Sequence, residues 1–184
     1  GGKGSRLRPL TDVMSKQLLP VFDKPLIYYP ISCLMLAGIR EILIITTPKD
    51  ERLFKNLLGD GNKLGVKFEY KVQEKSEGIA QAYILGEKFV DGNPTILILG
   101  DNIIYGPSLK NKLTLAMKNQ GATIFAYRVK DPERYGVIDF HKDGKVSGIE
   151  EKPKNPKSNF AITGIYLFDK EVCDFAKQLE FSER

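Results

Sequence analysis

No stretch of this 184-residue chain is apolar for long enough to cross a bilayer, the longest runs lying near residues 42–45 and 96–99, far short of the roughly 20 residues a spanning helix needs. No positively charged leader followed by an apolar segment opens the chain, so a membrane or secreted setting has no support and a cytoplasmic one is expected. Histidine is reduced to His141, without a metal-spaced partner, and no Ser/His/Asp or Cys/His set can be assembled. Covalent catalysis is therefore not indicated. Cys33 and Cys173 sit in segments with helical apolar spacing and lack a CxxC or Cys/His pattern, which suits two reduced, buried thiols. Repeats, low-complexity tracts and linkers are also missing, and a single domain over residues 1–184 is expected. The net charge of +5 is spread along the chain with no aromatic-interleaved basic stripe, which favours small phosphate-bearing substrates over nucleic acid.

What is present is an ordinary globular composition, 42% hydrophobic and 28% charged, sufficient for one buried core. The chain opens inside a glycine-rich segment of the kind that follows a buried strand, and it closes at Phe181-Ser182-Glu183-Arg184 without a helix stop. A domain truncated at both ends is expected. Helical spacing covers residues 26–37, with Pro30 admissible in the first turn and Gly38 placed as a cap. A buried strand follows at 41–46, then a helix from the Asp50 cap to Leu58, ended by Gly59-Asp60-Gly61. Strand 67–73, helix 79–89, strand 95–99, helix 109–119 and strand 122–129 continue the rhythm. A hairpin then joins 137–140 to 146–150 through Lys142-Asp143-Gly144, and strand 161–168 and helix 171–179 complete the pattern. The fold class expected is α/β, a Rossmann-like, mostly parallel sheet with helices on both faces and an antiparallel hairpin appended.

Several segments could carry chemistry. Gly1, Gly2 and Gly4 expose backbone N–H groups that can wrap anionic oxygens beside Arg6, although a glycine-rich mobile end reads the same way. The spacing fits neither GxGxxG nor a Walker loop. Lys16 and Gln17 supply a second cation and an amide a short loop away; fixed cations of this kind, with a metal, stabilise departing pyrophosphate. Asp101 ends an apolar strand at the edge where open α/β sheets bind ligands, placed either to hold Mg²⁺ against phosphate oxygens or to cap a helix. Gln73, with Gly78 beyond it, could read a base edge or be an exposed loop amide. Glu151 and Lys152 could hold a sugar and its phosphate or form a solvated charge cluster. Tyr135-Gly136 suits sugar contact and core packing equally.

Taken in order, Gly1-Gly2-Lys3-Gly4-Ser5-Arg6-Leu7, residues 15–20 and 23–30, Gly78-Ile79-Ala80-Gln81-Ala82, Gly100-Asp101-Asn102, Glu133-Arg134-Tyr135-Gly136-Val137, residues 150–153 and 158–164 resemble the sugar-phosphate nucleotidyltransferase family. Residues 15–20 with Tyr28-Tyr29-Pro30 are similar to its thymidylyl branch. The resemblance implies that dTTP and glucose 1-phosphate are joined with Mg²⁺ into dTDP-glucose and pyrophosphate, on the way to dTDP-rhamnose. It implies that the glycine loop, Arg6 and Lys16 bind the triphosphate; that Gln17, Gln73 and Gly78 hold the nucleoside; and that Asp101 binds magnesium. Tyr135 belongs to the sugar segment; Gly136, Glu151 and Ile162 would meet the glucose, and Lys152 would grip its phosphate. A homotetramer is implied as well. Ser5 stands where the motif often has Thr, which keeps a hydroxyl. The family's second metal-binding aspartate belongs to a segment outside this chain. The competing readings are the same chemistry with UTP or another sugar phosphate, and a non-catalytic subunit that binds nucleotide sugars.

Overall fold

The computed structural model describes residues 4–75 and 77–179. After the short α1 (Leu10–Val13) the chain makes a small antiparallel pair, β1 (Pro20–Val21) with β2 (Lys24–Pro25), and enters α2 (Tyr28–Leu36). Pro30 is the third residue of α2, where its missing N–H costs no intrahelical bond, and Gly38 leaves the helix at φ +88°. In β3 (Glu41–Thr46), Ile42, Ile44 and Thr46 alternate onto one buried face. α3 (Glu51–Leu58) answers with Phe54 and Leu58, one turn apart and buried. At Gly61, φ is +91° and an added Cβ would lie 2.6 Å from the Val66 carbonyl oxygen, so only glycine fits the turn into β4 (Lys67–Val72). β4 runs parallel to β3, with Ile42 opposite Phe68 and Thr46 opposite Val72.

The remaining elements are α4 (Gln81–Val90), β5 (Thr95–Ile98), α5 (Leu109–Ala116), β6 (Ala122–Arg128), β7 (Gly136–Phe140), β8 (Val146–Glu151), β9 (Phe160–Phe168) and α6 (Val172–Gln178). β9 organises this half. It pairs antiparallel with β6 along one side and with β5 and then β7 along the other, Ala161 lying between Tyr127 of β6 and Val137 of β7, and β7 forms the expected hairpin with β8. The α/β class is present, as expected. Direct parallel pairing, however, is confined among the described residues to β3 and β4. β5 and β6 do run in the same direction, since each opposes β9, and this preserves the strand-helix rhythm of the sequence. Their contact is taken by a strand that arrives about forty residues later, which turns the ladders antiparallel.

Three apolar clusters hold the layers together. One joins α2, β3, α3 and β4 through Ile31, Leu34, Ile42, Phe54 and Phe68. A second packs Cys33 of α2 and Leu113 of α5 against Ile165 and Leu167 of β9. The third sets Tyr83 of α4 against Cys173 and Ala176 of α6. Both cysteines are buried and unpaired, and burial pushes the Cys33 thiol up from its ordinary pKa. Among the described residues, no helix is long and apolar enough to cross a membrane.

Candidate functional site

β3, β4 and β5 end at one rim, and the residues just past their ends line a cavity of about 550 Å³. Gln73 is placed there by its backbone, whose N–H donates to Thr46 O at 2.8 Å as the last step of the β3/β4 ladder. Asp101 follows β5, which is locked to β9 by Leu99 N–H donating to Gly164 O at 2.9 Å. The opposite wall is the turn Lys16–Leu18, joined by Gly4 and Thr11. Gly4 has φ +62°, and its carbonyl accepts the Thr11 hydroxyl at 2.8 Å.

Lys16 Nζ and Asp101 Oδ2 are in direct contact, each side chain about a quarter exposed (23% and 29%). Cation and carboxylate thus meet across the cavity from segments 85 residues apart in the chain (101 less 16). Asp101 is not a helix cap, since α5 begins only at Leu109. Gly4, Lys16, Gln17, Gln73 and Asp101 all line the same cavity. Gln73 also borders, with Gly78, an adjoining apolar slot of about 510 Å³ between β3 and β5. Arg6 is exposed on the turn Ser5–Leu7 and is not part of the cavity wall. Gly1 and Gly2 lie outside the described residues.

The sugar-side residues form a second group. Gly136 and Glu151 are opposite each other across the β7/β8 hairpin. A Cβ on Gly136 would stand 3.2 Å from Glu151 Oε2 and 3.4 Å from Ile162 Cδ1, so the three converge where only a hydrogen separates them. Lys152 has φ +47°, donates its backbone N–H to Tyr135 O at 2.9 Å, and places its ammonium 3.2 Å from Glu151 Oε1. The Arg134 guanidinium sits 6.0 Å from the centre of the Tyr135 ring. Tyr166 shares the Ile162 face of β9, and its hydroxyl is pushed above its ordinary pKa, first by burial and then by the Glu151 carboxylate.

β9 connects the two groups. Two residues along from Ile162, Gly164 receives Asn102: the Gly164 N–H donates to Asn102 Oδ1 at 3.2 Å, and Asn102 Nδ2 donates to Asp101 Oδ1 at 3.3 Å. Asn102 therefore orients the carboxylate at the rim of the cavity. Asp50 is a second residue whose part was not legible. The sequence reading made it a helix cap, but its side chain caps nothing in α3. Its carboxylate, 7% exposed, accepts Ser15 N–H at 3.1 Å and the Thr47 hydroxyl at 2.8 Å, tethering the Lys16 turn. Lys49 adds a second tether to Asp12 O at 2.7 Å. No short-range signal links Asp50 to Ser15, 35 residues away.

The sequence profile of the nucleotidyl transferase family matches residues 1–184. The chain belongs to that family. As a nucleotidyl transferase it is 55% identical over 185 residues to the glucose-1-phosphate thymidylyltransferase of Neisseria gonorrhoeae, covering 100% of this chain and 64% of that protein. It is 51% identical to the Mycolicibacterium smegmatis enzyme of the same name, again over 100% of this chain and 64% of the relative. The chain thus spans just under two thirds of the length of these relatives. Among solved structures, a Bacillus anthracis protein assigned as a glucose-1-phosphate thymidylyltransferase, in complex with a sucrose, superposes with TM-score 0.89 at 42% identity, covering 97% of this chain and 72% of that one. A UDP-glucose pyrophosphorylase complexed with UDP-glucose superposes with TM-score 0.79 at 25% identity, covering 97% and 77%. Nucleotidyl transferases generally use a divalent metal. No group of three or more His, Cys, Asp or Glu side chains able to hold one occurs among the described residues. Asp101 lines the cavity with Glu74 and with Asp50, whose carboxylate is already engaged by Ser15 and Thr47, and so small a set of oxygens fits a hard cation that takes most of its ligands from substrate and water.

Proposed function

We propose that this chain is the nucleotide-binding part of a Mg²⁺-dependent enzyme that joins dTTP to α-D-glucose 1-phosphate, giving dTDP-glucose and pyrophosphate. A phosphate oxygen of the sugar phosphate attacks the α-phosphorus of dTTP in line. The bond from that phosphorus to the bridging oxygen breaks, and pyrophosphate leaves with its electron pair. The observation that carries this reading is the gathering of Gly4, Lys16, Gln17, Gln73 and Asp101 around one cavity, with Gly136, Glu151 and Ile162 joined to it through β9.

In this reading Lys16 and Arg6 neutralise the negative charge that builds on the leaving pyrophosphate, and Gly4, with Gly1 and Gly2, gives backbone N–H groups to the triphosphate. Gln17, Gln73 and Gly78 hold the nucleoside. Tyr135, Gly136, Glu151 and Ile162 hold the glucose, and Lys152 holds its phosphate. Asp101 would hold Mg²⁺, which would supply positive charge against the substrate phosphates. The reading includes a cytoplasmic homo-oligomer, tetrameric by family resemblance, with no nucleic-acid or membrane partner.

Pyrophosphate release by the full-length protein, measured with glucose 1-phosphate and each nucleoside triphosphate in turn, is expected to be fastest with dTTP. Clear preference for UTP or CTP would overturn the nucleotide assignment. Asp101→Asn is expected to abolish turnover while leaving the thermal unfolding temperature nearly unchanged; near-normal activity in that variant would remove Asp101 from the mechanism.

A further inference from the structure

Beyond the cavity wall, Gln73 is the end of a chain of amide contacts whose polarity can be worked out. Gln81, the first residue of α4, is held by Glu77 at both ends of its amide. Its Oε1 receives the Glu77 backbone N–H at 3.4 Å, and its Nε2 donates to the Glu77 carboxylate. A backbone N–H can only donate and an ionised carboxylate can only accept, so these two partners determine which end of the Gln81 amide is oxygen. That same oxygen accepts Gln73 Nε2. Turning the Gln73 amide over would set oxygen against oxygen.

Gln73 therefore keeps its nitrogen towards Gln81 and retains Oε1, which has no hydrogen-bond partner among the described residues, as an acceptor. Its position is equally constrained, because the backbone is the last rung of the β3/β4 ladder and the residue lines both the polar cavity and the slot shared with Gly78. An acceptor held in this orientation suits a pyrimidine that carries a ring N3–H, as thymine and uracil do. Cytosine presents an unprotonated N3, which is an acceptor facing an acceptor.

We infer that Gln81 is a specificity-determining positioning residue: through Glu77 it sets the polarity of the Gln73 amide, and so selects nucleoside triphosphates whose base is an imide over those whose base is cytosine. This rests on the proposal that Gln73 meets the base. It does not itself separate dTTP from UTP, whose ring N3–H groups are alike.

The test uses the full-length protein, its Gln81→Ala variant, in which the Gln73 amide can turn over, and its Gln81→Glu variant, whose carboxylate still accepts Gln73 Nε2. Equilibrium binding of dTTP and dCTP is measured for each, alongside turnover with glucose 1-phosphate. The expected result is a dTTP-over-dCTP binding ratio that falls about tenfold or more in Gln81→Ala and stays within about threefold of the parent in Gln81→Glu. A merely structural role would weaken both nucleotides alike and leave the ratio unmoved in both variants. That outcome, or a parent protein that binds dCTP as well as dTTP, overturns the inference. A parent that shows the binding preference, lost in Gln81→Ala, but releases no pyrophosphate sinks the proposed reaction and leaves this inference standing.

Discussion

Asp50 is a buried carboxylate that accepts, besides the nearby Thr47 hydroxyl, a backbone N–H from a distant part of the chain, Ser15. Removing the acceptor strands that donor, at a cost of about 1–3 kcal/mol. Asp50→Ala is therefore expected to lower stability by that amount and to weaken nucleoside triphosphate binding roughly tenfold, because Lys16 and Gln17 ride on the freed turn. Asp50→Asn keeps an oxygen for Ser15 and should recover most of both losses; equal damage in the two variants would mean that charge, not the hydrogen bond, is what matters. Gly164 is the complementary case. A Cβ there would fall 2.5 Å from Asn102 Nδ2, so Gly164→Ala is expected to cost about 1–3 kcal/mol by chemical denaturation, and less in an Asn102→Ala background where the obstruction is gone. Strict additivity of the two changes would rule out the contact. Gln73 and Asp101 could be picked from sequence because they end strands, where open sheets face ligands, and Lys16 and Gln17 because they set a cation and an amide a short loop from the glycines. Asp50 and Asn102 could not, because each acts on a backbone group brought to it from elsewhere in the chain.

At the scale of elements, β9 carries the most structure. It holds β5, β6 and β7, and Ile165 at its centre is 1% exposed. Ile165→Ala is expected to cost about 2–5 kcal/mol, read as a shift in the denaturant midpoint. Tyr127→Ala on β6, where the side chain is 70% exposed, should stay within about 0.5 kcal/mol. A similar loss at both positions would deny β9 its central place. The elements themselves were nearly all legible. β3 was read at residues 41–46 and lies there, α3 likewise ends at Leu58, and the later helices end within a few residues of expectation. Their signals are local: apolar periodicity over two turns, a proline in a first turn, a glycine where φ turns positive.

For the whole molecule, the junction of α4 with α6 gives stability a dependence on alkaline pH. Burial pushes the Tyr83 hydroxyl from 10.0 up to about 12, partly offset by the Thr95 hydroxyl that donates to it. The neutral phenol is the form the fold favours. Its contribution is complete below pH 10.0, where the unfolded chain is also protonated, and is lost progressively as pH rises towards about 12. Thermal unfolding temperatures should accordingly fall across that window, and Tyr83→Phe should fall less steeply; parallel slopes would exclude Tyr83 as the cause. The same scale separates what sequence can hold from what it cannot. Composition, periodicity and turn residues determined the α/β class, the element boundaries and the kinds of side chain available at strand ends. Which strands touch was decided only by the tertiary structure, because a strand's alternation is the same whether its neighbour is parallel, antiparallel or forty residues away. The insertion of β9 between β5 and β6 and the meeting of Lys16 with Asp101 depend on groups distant in the chain competing for the same space and the same hydrogen bonds.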